Sequence, residues 1–340
     1  MVAESRPFIS LLTTAYRTEP YIAETIESVL AQTRSDWELI VVDNGNSDEM
    51  ACIVGEYTGD PRITLVRQEN KGIRGGVIAA ADVASGRYLC CLDSDDLLQP
   101  NFCERIGALI DAEPGIDAVT CDAELFRDPD DGVPLKSWLD GWSSVPDPSR
   151  AMTLADMLND GVPHYIGAFR REVWDALNAY DPSNDDVEGD IELWLRLAAA
   201  GHDVRVLPDK LARIRARTTS SSRDANRVEE FENKYQQAFL AVSNHYPISE
   251  SAVSAGGMMR RLRYLQALRK ARWALLDGDV PRARAAARDA YRQQHTLHAA
   301  AIIVALALSP KLLKSVHPIK NRAQSAFTRA RFRMASSRAS

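Results

Sequence analysis

Tyr88-Leu89-Cys90-Cys91-Leu92-Asp93-Ser94-Asp95-Asp96 is the stretch on which the fold turns. Its first five residues are apolar or aromatic, without the alternation of a half-exposed strand, and strands buried on both faces belong to parallel sheets. The run stops abruptly at a polar cluster, so the strand delivers three carboxylates to its carboxyl end. Upstream the same pattern recurs. Residues 8–14 (FISLLTT) form a compact β-prone run. Thr18-Glu19-Pro20 then supplies a cap, an acid and a proline for a helix start, and Ile22, Ile26, Val29 and Leu30 follow at helical spacing. Residues 37–42 (WELIVV) read as a second strand ending in the turn-forming Asp43-Asn44-Gly45-Asn46. A helix from about Asp48, a short strand over 62–66 and a helix within 75–84 lead into Tyr88. Strands alternating with helices at this pace predict an α/β fold, a mostly parallel sheet with helices on both faces.

Downstream, residues 127–152 are rich in Asp, Pro, Gly and Ser and read as a long loop of the kind that carries function. An apolar segment over 165–169, a helix from Arg171 and a helix over about 190–200, ended by Gly201, come next. Beyond about residue 224 strand signals stop, which divides the chain into an α/β domain over 1–224 and a helical region over 225–340. Residues 267–276, then Asp277-Gly278-Asp279, then 281–291 predict a helical hairpin.

The net charge of −6 conceals an asymmetry: residues 251–340 hold 18 Lys/Arg against 3 Asp/Glu, leaving the rest of the chain acidic. Such a division points to two parts with different partners. In residues 311–340, Ile319, Ala323, Ala326, Phe327 and Ala330 recur at helical spacing, with Lys320, Arg322, Arg329 and Arg333 elsewhere on the wheel. A basic amphipathic helix suits an anionic membrane surface; a packed helix with a frayed basic end is the alternative. The opening MVAESRPF lacks the apolar core of a secretory signal, and the apolar run over 299–308 is too short to span a bilayer. Five cysteines without a CxxC pair read as buried thiols in a reducing compartment. The expectation is a cytoplasmic protein, peripheral on the membrane if the tail binds lipid. An acidic body without a nucleic-acid motif gives no reason to invoke DNA or RNA.

The carboxyl edge of an open α/β sheet is where ligands bind. Asp93 and Asp95, one residue apart on a turn there, can share a hard cation, Mn²⁺ or Mg²⁺, whose other ligands are diphosphate oxygens. A solvated turn or a helix cap is the plain alternative. At the end of the second strand Asp43 and Asn44 can hydrogen-bond a ribose and a base; capping of the next helix by Ser47 or Asp48 explains the same residues.

Four blocks in order carry a resemblance. They are SLLTTAYRTEPYIAETIESVLAQT (10–33), WELIVVDNGNSDE (37–49), ENKG (69–72) with ASGRYLCCLDSDD (84–96), and EGDIELWLRLAAAG (188–201). The chain resembles glycosyltransferase family 2, the inverting enzymes of GT-A fold, over about residues 8–220. The resemblance implies transfer of a sugar from a nucleotide diphosphate donor, UDP-linked, to an acceptor hydroxyl on a glycan or lipid-linked molecule, as in cell-envelope polysaccharide or glycolipid synthesis. It places Thr14 and Tyr16 against the nucleoside, Asp43 at the ribose, Asn44 at the base edge, Asp93 and Ser94 at the donor, and Asp95 with Asp93 on the metal. Asp190 aligns with the family's catalytic base; inverting transfer needs one carboxylate to take the acceptor's proton. His164, Gly167, Glu188 and Trp194 fall where the sugar and acceptor pocket is shaped, although Trp194 also reads as core. Several positions depart from the pattern. The acidic pair before the last helix reads Glu188-Gly189-Asp190, so Glu188 is displaced and remains a second candidate base. Arg74 is the nearest basic residue to a missing Ala-Arg-Asn stretch, and a solvated arginine explains it equally. Arg215-Ala216-Arg217 stands in for Arg-x-His, with Arg215 the expected diphosphate contact. These departures leave a catalytically silent nucleotide-sugar-binding subunit as the alternative.

Overall fold

The computed structural model describes residues 6–128, 135–142, 144–180, 189–217, 228–245, 255–311 and 314. Two compact units divide the chain at Phe231/Glu232. In the first, β1 (Ile9–Ala15), α1 (Glu19–Leu30), β2 (Trp37–Asp43), α2 (Asp48–Gly55), β3 (Ile63–Arg67), α3 (Gly72–Val83) and β4 (Tyr88–Cys91) follow one another in strict alternation. Next come β5 (Leu97–Leu98), α4 (Phe102–Ala112), β6 (Ala118–Arg127), β7 (Lys136–Ser137) and a 3₁₀ turn at Trp138–Gly141. The unit continues with α5 (Leu154–Asp160), β8 (Gly167–Arg170), α6 (Arg171–Ala176), α7 (Gly189–Ala199) and β9 (Val204–Ala216). The strands lie in the order β3-β2-β1-β4-β8-β6-β9-β5, with β7 beside β6. Six point one way, and only β8, β5 and β7 run against them. The mostly parallel sheet is as expected, and the reversal at β8 adds an antiparallel strand in its middle.

Helices cover both faces because the strands are apolar on both. Ile9, Leu11 and Ala15 of β1 share a core cluster with Ile22, Ile26 and Val29 of α1, Met50 and Val54 of α2 and Phe102 and Ile106 of α4. Fully burying such a side chain contributes about 1.5–3 kcal/mol each, so this face alone outweighs any local propensity. The intervening residues face the other way. There Thr14 meets Gly76 of α3 so closely that an added Cβ would lie 2.2 Å from the Thr14 methyl. Phe169 of β8 packs on that second face against Trp174 of α6 and Trp194 of α7, with ring centroids 5.7 and 4.5 Å away.

One local expectation changes in detail. Thr18 starts α1 with its carbonyl, which accepts from Tyr21 and Ile22, while its hydroxyl caps nothing and bonds the Ser94 hydroxyl at 2.8 Å. That bond ties the first turn of α1 to the acidic strand end.

The second unit is helical: α8 (Val228–His245), α9 (Ala255–Asp277), α10 (Val280–Gln293) and α11 (Leu297–Leu308). The predicted hairpin is α9–α10, closed at Gly278 with φ +88° and at Asp279, whose side chain accepts from Arg282 N–H. Ala283, Ala287 and Ala290 repeat every three or four residues on α10 and are fully buried, so small side chains let the helices approach closely. On α11 the opposite stripe is open, with Leu297, Val304 and Leu308 at 91, 55 and 80% exposure. Among the described residues no helix is long and apolar enough to cross a membrane. The basic segment over 315–340 lies outside the described residues.

Candidate active site

Register brings the strand ends into one row. Ala15 pairs Asp43, Asp43 pairs Arg67, and Leu92 N–H bonds Leu12 O just before Asp93. The nucleoside-side residues and the acidic cluster therefore share the carboxyl edge of the sheet. Asp93 is open to solvent at this edge, yet enough protein crowds around it to push its carboxyl up to about 7. Loss of hydration is the largest cause, followed by repulsion from Asp95 and Asp190; a Tyr165 hydrogen bond and Arg217 oppose it. Asp190, in the first turn of α7, is also raised by burial, with backbone N–H groups of that turn and Arg74 pulling the other way. A carboxylate of raised basicity at a cleft suits a general base. Asp95 is buried and paired with Arg217 Nε at 2.7 Å. Asp96 is buried too, accepting from the Tyr165 hydroxyl and, at 2.7 Å, from Arg215 N–H.

Arg74 stands beside this group rather than in bulk water. Its guanidinium lies 3.3 Å from where a Cβ on Gly189 would sit, and the Tyr180 ring lies 3.2 Å from the same point. Gly189, the residue that interrupts the acidic pair, is thus the gap that admits both side chains. Glu188 lies outside the described residues.

The remaining expected residues divide into open and occupied. Tyr16 is 42% exposed, and its ring lies over Gly45, where a Cβ would come within 2.9 Å. The Thr14 hydroxyl is buried on the α3 side of β1 and has no hydrogen-bond partner among the described residues. Asp43 is buried, one oxygen accepting from Ser47 N–H at 3.0 Å and the other from Arg67 Nε at 3.1 Å. Asn44 spends its side chain on one loop: its oxygen accepts from Gln68 and Lys71 N–H, and its amide donates to Asn70 and Gly72 O. Ser94 is buried against Thr18.

Arg215 is buried as well. It donates to Asp95 O at 2.9 Å and Glu24 at 2.6 Å, with Asp128 at 3.4 Å, beneath the rings of Tyr21 and Phe126. The basic residue whose side chain reaches Asp95 is Arg217, the other arginine of the Arg215-Ala216-Arg217 element, two residues further on.

His164, Gly167 and Trp194 form one buried knot. His164 Nε2–H donates to Cys121 O at 2.8 Å while Nδ1 accepts from Ile166 N–H, and burial holds the ring's pKa at about 4. Trp194 donates to His164 O at 3.1 Å and presses on Gly167, whose Cβ would lie 2.7 Å from the indole. These three form a buried support for α7, on which Asp190 lies one turn before Trp194.

The donor chemistry suits a hard divalent cation shared with phosphate oxygens rather than one caged by protein. Among the described residues no three His, Cys, Asp or Glu side chains gather as a metal site. Asp93 nevertheless offers an open carboxylate in a surplus of negative charge, and Mg²⁺-type ions need only one or two carboxylates when phosphates supply the rest.

An open α/β sheet with a carboxylate cluster at one strand end and a second acid on a facing helix defines a nucleotide-diphospho-sugar-binding class of fold. Residues 10–176 match the family model for glycosyl transferase family 2, and the α/β unit that contains them belongs to that family. The putative glycosyltransferase EpsH of Bacillus subtilis is 36% identical over 124 residues, a stretch amounting to 36% of this chain and 36% of that protein. The match thus spans about a third of that relative's length. Two solved structures share the fold. TarS 1–349 of S. aureus in complex with UDP-GlcNAc has a TM-score of 0.57 at 15% identity, over 93% of this chain and 88% of its own. The mannosyltransferase PcManGT of Pyrobaculum calidifontis, in complex with GDP-Man and Mn²⁺, has a TM-score of 0.57 at 19% identity, over 95 and 87%.

Proposed function

We propose that this protein transfers a sugar from a UDP-linked donor to an acceptor hydroxyl with inversion, Asp190 acting as the base. The observation that carries the reading is that Asp190, in the first turn of α7, lies close enough to repel the charge of Asp93 after β4, two acids from different elements at the edge where ligands bind such sheets. Asp93, with Asp95, would hold Mn²⁺ or Mg²⁺, which when bound offsets the charge that grows on the leaving diphosphate. Tyr16 offers an open ring to the nucleoside. Asp190 takes the proton of the acceptor hydroxyl as its oxygen attacks the anomeric carbon, and Arg74 favours the ionised form against the effect of burial. No side-chain nucleophile is needed, since inversion proceeds by one displacement. A glycan or lipid-linked acceptor is consistent with the basic second unit, whose exposed Leu297, Val304 and Leu308 fit the surface of an anionic membrane.

Asp190→Asn tests the assignment. Turnover should fall by a factor of at least about 10², as loss of a general base does, while metal-dependent binding of UDP stays within twofold. Full activity in that variant would remove Asp190 from the chemistry. A wild type that binds donor but releases no nucleotide with any acceptor would favour the silent subunit.

A further inference from the structure

The acidic edge holds two arginines from the same strand end, and they are not equivalent. Arg215 is locked: its guanidinium serves Asp95 O, Glu24 and Asp128 and is sandwiched by two rings, so moving it would strand three acceptors. Arg217 is held more lightly. Among the described residues its ion pair is to Asp95, its side chain is 27% exposed, and it lies 5.3 Å over the face of Tyr21. Its Nε is buried at the 2.7 Å ion pair yet lacks hydrogen-bond geometry, so the pair is chiefly a meeting of charges.

We propose that Arg217 is a placeholder cation that occupies Asp95 in the donor-free protein and yields it to a divalent metal when a nucleoside diphosphate arrives to receive the guanidinium. The inference rests on the donor-site reading above. Without a ligand, Asp93, Asp95, Asp96 and Asp190 crowd one strand end, and a fixed Arg215 answers only part of that charge. A metal entering alone must expel Arg217 from Asp95 and leave it unpaired beside a dication, which opposes binding. A metal entering with a diphosphate meets no such penalty, because the phosphate oxygens give Arg217 a new bidentate partner. Metal and nucleotide then bind cooperatively, each favouring the other by the same factor. Arg217 is a positioning and gating residue here, reaching the donor and not the reacting atoms.

The test measures Mn²⁺ binding to the full chain by titration calorimetry, with and without UDP. In Arg217→Gln the affinity for Mn²⁺ alone should rise about tenfold, the weight of a close charge pair that no longer competes for Asp95. The same variant should bind UDP more weakly in saturating Mn²⁺, so the coupling between the two ligands shrinks toward unity. Arg217→Lys keeps the charge and should retain most of the coupling. Wild type that binds UDP tightly with Mn²⁺, combined with unchanged or weaker Mn²⁺ affinity in Arg217→Gln, would overturn the placeholder alone. Wild type that binds no Mn²⁺ even with UDP present would overturn the donor-site reading and the placeholder with it.

Discussion

His164 should make the first unit acid-sensitive by a predictable amount. The ring is buried, its Nε2–H committed to Cys121 O and its Nδ1 to Ile166 N–H, an arrangement that only a neutral imidazole can satisfy. Its pKa is lowered from 6.5 to about 4, by burial first, with the Cys121 bond acting in the other direction. The unfolded chain therefore binds a proton between pH 6.5 and 4 that the folded chain refuses. The stabilisation is complete above pH 6.5 and is lost as pH falls toward 4. Two and a half units at about 1.4 kcal/mol each give about 3 kcal/mol. Asp122 works against it. Burial raises that carboxyl to about 6, so its contribution improves as pH falls and can hide the histidine in a simple stability profile. The difference between wild type and His164→Gln isolates the ring. Gln retains a donor toward Cys121 O and does not titrate. Urea unfolding at intervals from pH 7.5 to 4.5, followed by tryptophan fluorescence, should show wild type losing stability relative to the variant by about 2–3 kcal/mol. The wild-type ring C2–H resonance should stay unshifted above pH 5. A flat difference, or a ring that titrates near 6.5, would show that the buried knot is not closed as described.

Two further outcomes follow from packing and surface. Gly167→Ala places a methyl 2.7–2.8 Å from two atoms of the Trp194 indole, with Val119 O at 3.3 Å. Overpacking of this kind costs about 1–3 kcal/mol, measurable by urea unfolding. Trp194→Leu in the same chain should recover part of it, and strictly additive losses would refute the contact. On α11, replacing Leu297, Val304 and Leu308 together by Ser should reduce co-sedimentation with vesicles containing phosphatidylserine and leave donor turnover unchanged. Equal sedimentation of both proteins would take the membrane away from that face.

The first four strands and the acidic end of the fourth were legible because both are local: an uninterrupted apolar run cannot face water, and a turn cluster must follow it. The helical hairpin was legible for the same reason, from Asp277-Gly278-Asp279 between two alanine-rich stretches. What pairs with what was not. Asn44 looked free to read a base because nothing in Asp43-Asn44-Gly45 reveals that residues 68–72 fold back over it and take four of its hydrogen bonds. Arg215 and Arg217 both point to one side of β9, since strands repeat every two residues. Which of them is spent on Glu24 and which reaches Asp95 depends on partners 191 and 122 positions away. Gly189 looked like a defect in an acidic motif. It acquires a reason only when Tyr180 and Arg74 are seen to share its space.

Asp122 and Asp93 are both raised above the usual carboxylate range, and comparing them separates a structural acid from a candidate functional one. Asp122 is buried inside β6 at a break in register, and its oxygens accept from Ser137 Oγ, Leu139 N–H and Ala123 N–H, with Lys210 nearby. Two of these, from Ser137 and Leu139, hold the 136–141 segment in place, so the raised carboxyl is the cost of an internal brace. Asp93 is raised first by loss of hydration, as Asp122 is, but also by two neighbours of its own sign, Asp95 and Asp190, and it remains open to solvent. A brace would be built from compensating donors; a cluster of like charges left facing water destabilises the fold at neutral pH and gains nothing until a cation arrives. Folds retain such local penalties where a ligand relieves them. Like charges gathered around an open carboxylate, more than its place in a motif, are what support the proposal that ligands bind at this carboxyl edge.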